Sequence, residues 1–513
     1  MTKLADGTVG MSALAAIFLF AGSAFAQAGG APGTMVNQLP LSGRTVQNGS
    51  VTATQSPVPG TTTSVNTINP TLQVSGSYAG SVGSAATLPF SGKLSLREAV
   101  ERGLKYNLGA VGMAQALRQA RGQQLVARSS LLPNLNGALH EFDEKLSLKA
   151  QGLGSIPGLG SSLPAVIGPF NYFDLRASLT QTVADMTALN NYRSSKEIVR
   201  SNRYSAEDAR DLVVFAVGGA YLQVIAAAAR VESVRAQLET ARALYSQTSQ
   251  KRSVGLLAQT DVNRSQVQAL TQQQRLVSLQ NDLAKQKINL ARLVGLPASD
   301  GYALSEEIPF SAVPSITLEE ALRQALVKRA DLRAAEAQAQ AARFSRSAAR
   351  AERLPSLSVS ADYGLIGTKP AQSNGTYTLV GTLRIPIWLG GRTEGDIEQA
   401  DAALTERRAE IEDLRGKIES DIRNAYLDLD AAGSQVEVAA KNVQVTKETL
   451  DLTRQRFDAG VTDNVEVVQA QESVAGAELD YINSVFAHNL AKLSLARAIG
   501  GAAESLPQFL TLQ

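Results

Sequence analysis

Leu94-Ser95-Leu96-Arg97-Glu98-Ala99-Val100 and Ile316-Thr317-Leu318-Glu319-Glu320-Ala321-Leu322 are one phrase written twice. Each copy opens a helical stretch and closes on a matched signal, Leu132-Pro133-Asn134-Leu135 and Leu354-Pro355-Ser356-Leu357. The offset is 222 at both ends, so the intervening helix carries no net insertion. Further on the copies still align. Ala220-Tyr221-Leu222 matches Ala425-Tyr426-Leu427, Gly255 matches Gly460, and Leu290-Ala291-Arg292 matches Leu495-Ala496-Arg497, now at an offset of 205. The 17-residue difference lies between Leu135 and Ala220. Self-similarity on this scale marks a duplicated structural unit rather than two unrelated domains. Residues 91–302 and 303–501 are read as the two repeats, with 502–513 as a C-terminal tail.

Ser95 and Thr317 begin capping boxes. The hydroxyl accepts from the amide three residues on, and Glu98 or Glu320 reaches back. Each helix should stop ahead of its proline, which disfavours helical geometry in the preceding residue. A second helix in each repeat is far longer, from about Thr187 to Val254 and from about Thr393 to Ala459, with no proline inside. At 1.5 Å per residue each spans on the order of 100 Å. Ile397, Leu404, Ile411 and Ile418 recur every seven residues, as do Leu429, Val436, Val443, Leu450 and Phe457. Val231, Val234, Leu238, Ala241 and Tyr245 alternate three and four apart. A seven-residue apolar period predicts coiled-coil packing. The charges between Glu406 and Arg423 read as its solvated face. Gly255 and Gly460 end the long helices, where a left-handed residue is wanted. A return helix follows each, so every repeat holds a helical hairpin with a tight tip.

Between the helices the period falls to 2. Leu357, Val359, Ala361, Tyr363 and Leu365 alternate with Ser358, Ser360, Asp362 and Gly364. Tyr377, Leu379, Leu383, Ile385 and Ile387 alternate with Thr376, Thr378, Thr382 and Arg384. In the first repeat Phe173, Leu175, Ala177, Leu179 and Val183 alternate with Asp174, Arg176, Ser178 and Thr182. The strand after Pro133 is less regular, because Glu141 breaks the pattern. The glycine-rich run Gly152–Gly168 reads as the long loop that accounts for the 17 residues. These strands have the length of tilted membrane strands, roughly 9–11 residues. Four strands cannot close a barrel, and an open sheet in lipid leaves costly unpaired edges. If they span a membrane, the chain must oligomerise.

Composition agrees. Aromatics are 5% of the 513 residues and the net charge is +2 with both signs interleaved, which offers no nucleic-acid footprint. Lys3, the apolar run Met11–Gly22 and Ala24-Phe25-Ala26 read as a signal peptide over residues 1–26. There is no cysteine, which excludes disulfides and thiolate sites. Residues 27–90, rich in Gly, Ser, Thr and Pro, read as a disordered or loosely docked extension to which the sequence assigns no function. His140 and His488 are isolated in sequence, so no metal site is expected. No nucleophile–base constellation or phosphate loop is present, so neither an enzyme nor a cofactor is expected.

The doubled capping boxes, the doubled Leu-Pro-x-Leu, Pro386-Ile387-Trp388-Leu389-Gly390-Gly391-Arg392 entering a long helix, and the tips Val254–Val262 and Ala459-Gly460-Val461 together resemble the TolC-like outer-membrane efflux family. The resemblance covers about Leu94 to Gly501. It implies a membrane α/β fold and a homotrimer. Four strands per chain would complete a twelve-stranded outer-membrane barrel, continued by a periplasmic tunnel of coiled-coil hairpins. It further implies an exit duct of a tripartite efflux or type I secretion system in a Gram-negative bacterium. Its partners would be outer-membrane lipid, a periplasmic adaptor that grips the tips at Gly255, Leu256, Gly460 and Val461, and an inner-membrane pump of RND, ABC or MFS type. By tip alignment Glu466 matches an acid of the pore constriction, and Gln469 stands where a second acid is usual. Asp261 matches a gating-latch acid whose usual tyrosine and arginine partners are Phe457 and Thr462 here. Trp388 falls where an interfacial aromatic girdle is expected, with packing at the strand-to-helix junction as its other reading. Glu466 could equally be an acid favoured by a helix N-terminus. The rival function is a soluble periplasmic coiled-coil scaffold or adaptor.

Overall fold

The computed structural model describes residues 34–42, 49–58, 67–82, 92–150, 164–297, 301–305 and 316–503. The proposed signal peptide and residues 504–513 of the tail lie outside them. The first repeat runs α1 (Leu96–Tyr106), α2 (Leu108–Ser129), β4 (Asn134–Ser147), β5 (Val166–Ala184), α3 (Met186–Ser253) and α4 (Gln259–Val294). The second runs α5 (Leu318–Lys328), α6 (Ala330–Ala351), β7 (Ser356–Gly367), β8 (Asn374–Arg384), α7 (Arg392–Asp458) and α8 (Asn464–Ile499). Corresponding helices have 11 and 11, 22 and 22, 68 and 67, and 36 and 36 residues.

The capping hydroxyls act as expected. Ser95 accepts from the Glu98 amide at 3.1 Å and Thr317 from the Glu320 amide at 3.3 Å. The glutamates, however, turn forward. Glu98 accepts from Arg102, and Glu320 from Gln324, each one turn on at 2.9 and 2.7 Å. The helix expected to run unbroken to the proline is interrupted at Asn107, and at the matching Arg329 in the second repeat. Both residues leave the helical region, with ψ of 132° and 121°. Asn107 is held there by its side chain, which donates to the Tyr78 carbonyl at 2.7 Å and accepts from the Gly109 amide at 2.9 Å.

The chain divides into two compact units, and the divisions fall between Leu39 and Pro40 and inside helices α2, α3, α6 and α7. One unit contains the sheet. Its strand order is β4-β5-β7-β8, antiparallel throughout, and β4 and β8 are its two open edges. β5 begins at Val166, inside the run expected to be loop.

The other unit contains the hairpins and the core. The heptad positions Leu404, Ile411, Ile418, Leu429, Val436, Leu450 and Phe457 are buried, as are Val231, Val234, Leu238 and Ala241. The doubled tyrosine has a structural purpose. Tyr221 donates to the Leu94 carbonyl at 3.0 Å and Tyr426 to the Ile316 carbonyl at 2.6 Å, tying each long helix to the start of its own repeat. Those starts also meet as a short parallel pair, β3 (Lys93–Leu94) with β6 (Ala303–Leu304). The α3 helix carries an apolar window long enough to cross a membrane, but most of it is buried here, as in any core helix. Arg407 departs from the solvated face assigned to residues 406–423. It is buried and donates to Gln338 at 2.8 Å and to the Pro40 carbonyl at 2.9 Å.

The extension is not featureless, which corrects the reading of residues 27–90. β1 (Val51–Val58) and β2 (Thr67–Val74) form an antiparallel hairpin. Val51 belongs to the buried core, and Ala53, Leu72 and Val74 pack against it. Gln55 donates to the Ala487 carbonyl of α8 at 3.4 Å. Leu72 lies so close to Gly219 of α3 that a Cβ there would stand 2.7 Å from its methyl. Tyr78 is buried in the same core. The alternating Val51, Ala53 and Leu72, Val74 were the overlooked signal. At the other end, Asp211 accepts from the amides of Gly501 and Ala503, both at 3.1 Å, and Ala502 is buried. The second repeat therefore stays docked past residue 501.

Candidate functional site

Two regions carry the features that matter, and each lies within one unit. The first is the sheet. Register aligns Leu135 with Leu179, Leu179 with Ala361, and Ala361 with Leu379. Leu139, Leu175 and Leu365 form a parallel row. All these residues share one face, because side chains alternate across a strand. That face is open: Leu379 is 69% exposed, and Leu135, Leu139, Tyr363, Tyr377 and Leu383 are exposed with it. The opposite face is polar. Arg176 pairs there with Asp174 at 3.1 Å and with Asp362 on the adjacent strand, and its guanidinium reaches Thr376 on the next at 3.3 Å. Trp388 follows β8 and is 85% exposed beside exposed Ile385 and Ile387, so it does not pack into a junction.

The second region is the pair of tips. Gly255 and Gly460 take φ of +79° and +71°, conformations that disfavour any Cβ. Each closes a doubly bonded helix end. The Gly255 amide donates to Arg252 and the Leu256 amide to Lys251, both at 2.9 Å. The Gly460 amide donates to Phe457 at 3.2 Å and the Val461 amide to Arg456 at 2.9 Å. This is the 5→2, 6→1 pattern of a Schellman end. It presents Leu256 and Val461 outward, 72% and 69% exposed.

Beyond the turns the tips differ. Asp463 caps α8, accepting from the Val465 and Glu466 amides at 2.9 and 3.3 Å, whereas Ala258 at the matching position of α4 offers no side-chain cap. Glu466 and Gln469 are both exposed and one turn apart, and Glu466 pairs with Arg456 at 3.3 Å. Asp261 pairs with Arg264 of its own helix at 3.2 Å. Phe457 lies in the buried cluster with Leu244, Leu450, Val467 and Val474. The Thr462 hydroxyl is buried and makes no hydrogen bond.

The hairpins are joined by residues that sequence reasoning missed. Asn464 donates to the Asp261 backbone carbonyl at 2.9 Å. Lys251 packs over the Phe457 ring and reaches Asp458, to which Gln247 also donates. Asp261 thus enters the junction through its carbonyl rather than its carboxylate. Among the described residues no group of three or more His, Asp or Glu could hold a metal.

An open sheet with one exposed apolar face, joined to paired long hairpins, defines the class as an outer-membrane channel with helical extensions. The family described as outer membrane efflux protein matches twice, over residues 111–296 and 321–501, and the chain belongs to it. It is similar to the pyoverdine export outer membrane protein OpmQ of Pseudomonas aeruginosa, 25% identical over 397 residues, 76% of this chain and 81% of OpmQ. It is also similar to outer membrane protein OprJ of the same organism, 25% identical over 423 residues, 79% and 84% of the two chains. The fold resembles the CmeC outer membrane channel of Campylobacter jejuni, with a TM-score of 0.71 and 17% identity over 81% of this chain and 89% of that one. The protein is thus an outer-membrane efflux protein of a Gram-negative envelope. The soluble-scaffold alternative falls with this membership.

Proposed function

We propose that three copies assemble a continuous duct across the outer membrane and into the periplasm, serving a tripartite efflux or type I secretion system. The observation that carries this reading is the exposed apolar face of a four-stranded sheet with two open edges. In lipid those edges must be paired, so β8 of one copy would take β4 of the next. Two copies would give eight strands, whose interior side chains alone fill. Three is therefore the smallest number that leaves an aqueous lumen. The polar face with Arg176, Asp362 and Thr376 would line it, and Trp388 would sit in the girdle at the periplasmic end of β8.

The paired repeats supply two hairpins per chain, so three copies surround a tunnel with inner and outer hairpins in alternation. Glu466 and Gln469 are the residues we assign to its constriction. Asp261, Phe457 and Thr462 belong to the latch region, where the Asn464 and Lys251 contacts hold the closed form. The exposed Leu256 and Val461, on turns that Gly255 and Gly460 allow and paired backbone hydrogen bonds close, suit docking of a periplasmic adaptor that couples the duct to an inner-membrane pump. The duct performs no chemistry. Fractionation tests the assembly directly: SDS-resistant trimers in the outer membrane are expected, and a urea-soluble periplasmic monomer would overturn it.

A further inference from the structure

The first strand pair reaches past the second. Phe173 faces Gly367, where β7 ends, and from Tyr172 back to Val166 β5 pairs with β4 alone. At about 3.3 Å per residue this hairpin overhangs by roughly 20 Å. Across the overhang the two faces exchange character. On the face that is apolar below, Leu135 and Leu139 give way to Glu141, Asp143 and Asn171. On the face that is polar below, Asp174 and His140 give way to Phe142, Tyr172 and Phe170. Glu141, which interrupts the alternation in the sequence, marks this exchange.

The rings form a continuous platform. Phe142 and Tyr172 are stacked with centroids 4.8 Å apart, Phe170 and Tyr172 with centroids 6.1 Å apart, and His140 lies 5.9 Å from Phe142. Glu144 faces Phe170 across the strands, and Asp174 faces His140. The guanidinium of Arg176 on this face is engaged by Asp174 and Asp362. The overhanging part of β4 holds Asp143 and Glu144 against Lys145, and Glu141 stands in the row just before it. Stacked rings bordered by carboxylates attract a positive charge with an apolar body, since the ring faces are themselves negative.

We propose that Phe142, Phe170 and Tyr172, with Glu144, form a binding platform for aromatic or bulky organic cations. Its location at the outer mouth of the lumen rests on the duct reading; the binding itself does not. A cation leaving the lumen would meet this platform after the last hydrogen-bonded row of the four-stranded sheet.

The test uses tetraphenylphosphonium and its isosteric anion tetraphenylborate, with equilibrium dialysis against the purified full-length protein in detergent. The cation should bind at least about tenfold more tightly than the anion. Phe142→Ser with Tyr172→Ser should weaken cation binding about tenfold, Glu144→Gln about threefold, and Asn171→Ser on the opposite face should leave it unchanged. Equal binding of the two ions, or indifference to the ring substitutions, overturns the platform. Dissociation of the oligomer by the ring substitutions also overturns it, because the face would then be a contact between copies. Single-channel recording on the same preparation tests the duct independently: absence of conductance sinks that reading while the dialysis result stands.

Discussion

The Lys251 ammonium lies 4.2 Å from the centroid of the Phe457 ring and, from that position, donates to the Phe457 carbonyl and pairs with Asp458, each at 3.4 Å. One flexible cation thus ties the end of the first long helix to the end of the second. Loss of the cation–π contact and the ion pair should cost about 1 kcal/mol. Lys251→Ala should therefore raise the open probability of the duct about fivefold, with Lys251→Arg close to wild type. Planar-bilayer recording checks this, and unchanged closure would place the gate elsewhere.

Glu466 and Gln469 make opposite predictions. If Glu466 and Gln469 share the constriction proposed for them, Glu466→Gln should weaken block by hexamminecobalt(III) roughly threefold to tenfold and Gln469→Glu should strengthen it comparably, because each changes one charge there. Block insensitive to both would remove this helix face from the pore.

On the sheet, Leu379→Lys should reduce outer-membrane assembly sharply, at a cost of about 2–4 kcal/mol for a charge facing lipid. Thr378→Lys, on the other face of the same strand, should assemble normally. Comparable heat-modifiable trimer yields from both would contradict the assignment of faces.

Gly255→Ala and Gly460→Ala meet no steric neighbour, so their cost is the left-handed backbone alone, about 1–2 kcal/mol at each tip. Crosslinking of the tips to a periplasmic adaptor should fall accordingly. Yields equal to wild type would mean that the turns do not set the docking surface.

Burial, then repulsion from Lys492, lowers the His488 pKa to about 4. The buried ring stays neutral while the unfolded chain takes up its proton near 6.5, so acidification through that interval favours unfolding. Above pH 6.5 both forms are neutral and the residue contributes no pH dependence. His488→Gln should flatten this acid limb, worth about 3 kcal/mol below pH 4. Thermal unfolding at pH 7.5 and pH 5 compares the two proteins; parallel losses would assign the limb to other groups.

Much of the fold was legible because its causes are local. Ser95 and Thr317 bond their own backbones three residues on, and the seven-residue spacing of Leu404, Ile411 and Ile418 marks a buried seam in any context. The helix break at Asn107 was not legible, since that conformation depends on a bond to Tyr78, distant in sequence. The docked hairpin of the extension was hidden for a related reason. Its few apolar residues, Leu72 among them, are set among small and polar ones, and Leu72 and Gln55 acquire a place only against Gly219 and α8.

The same division runs through the candidate sites. Gly255 and Gly460 declared the turns, because a left-handed helix end is a property of one residue and its neighbours. The period of two likewise declared the strands and their apolar face. Only the tertiary structure decided that Lys251 and Asn464, rather than the Asp261 carboxylate, join the tips, since those contacts link residues more than two hundred positions apart. It alone decided that Glu141 marks an exchange of faces rather than a flawed strand, because a face acquires meaning only when the strand beside it is known. Sequence periodicity determines what each element is; packing between distant elements determines which of its side chains meet.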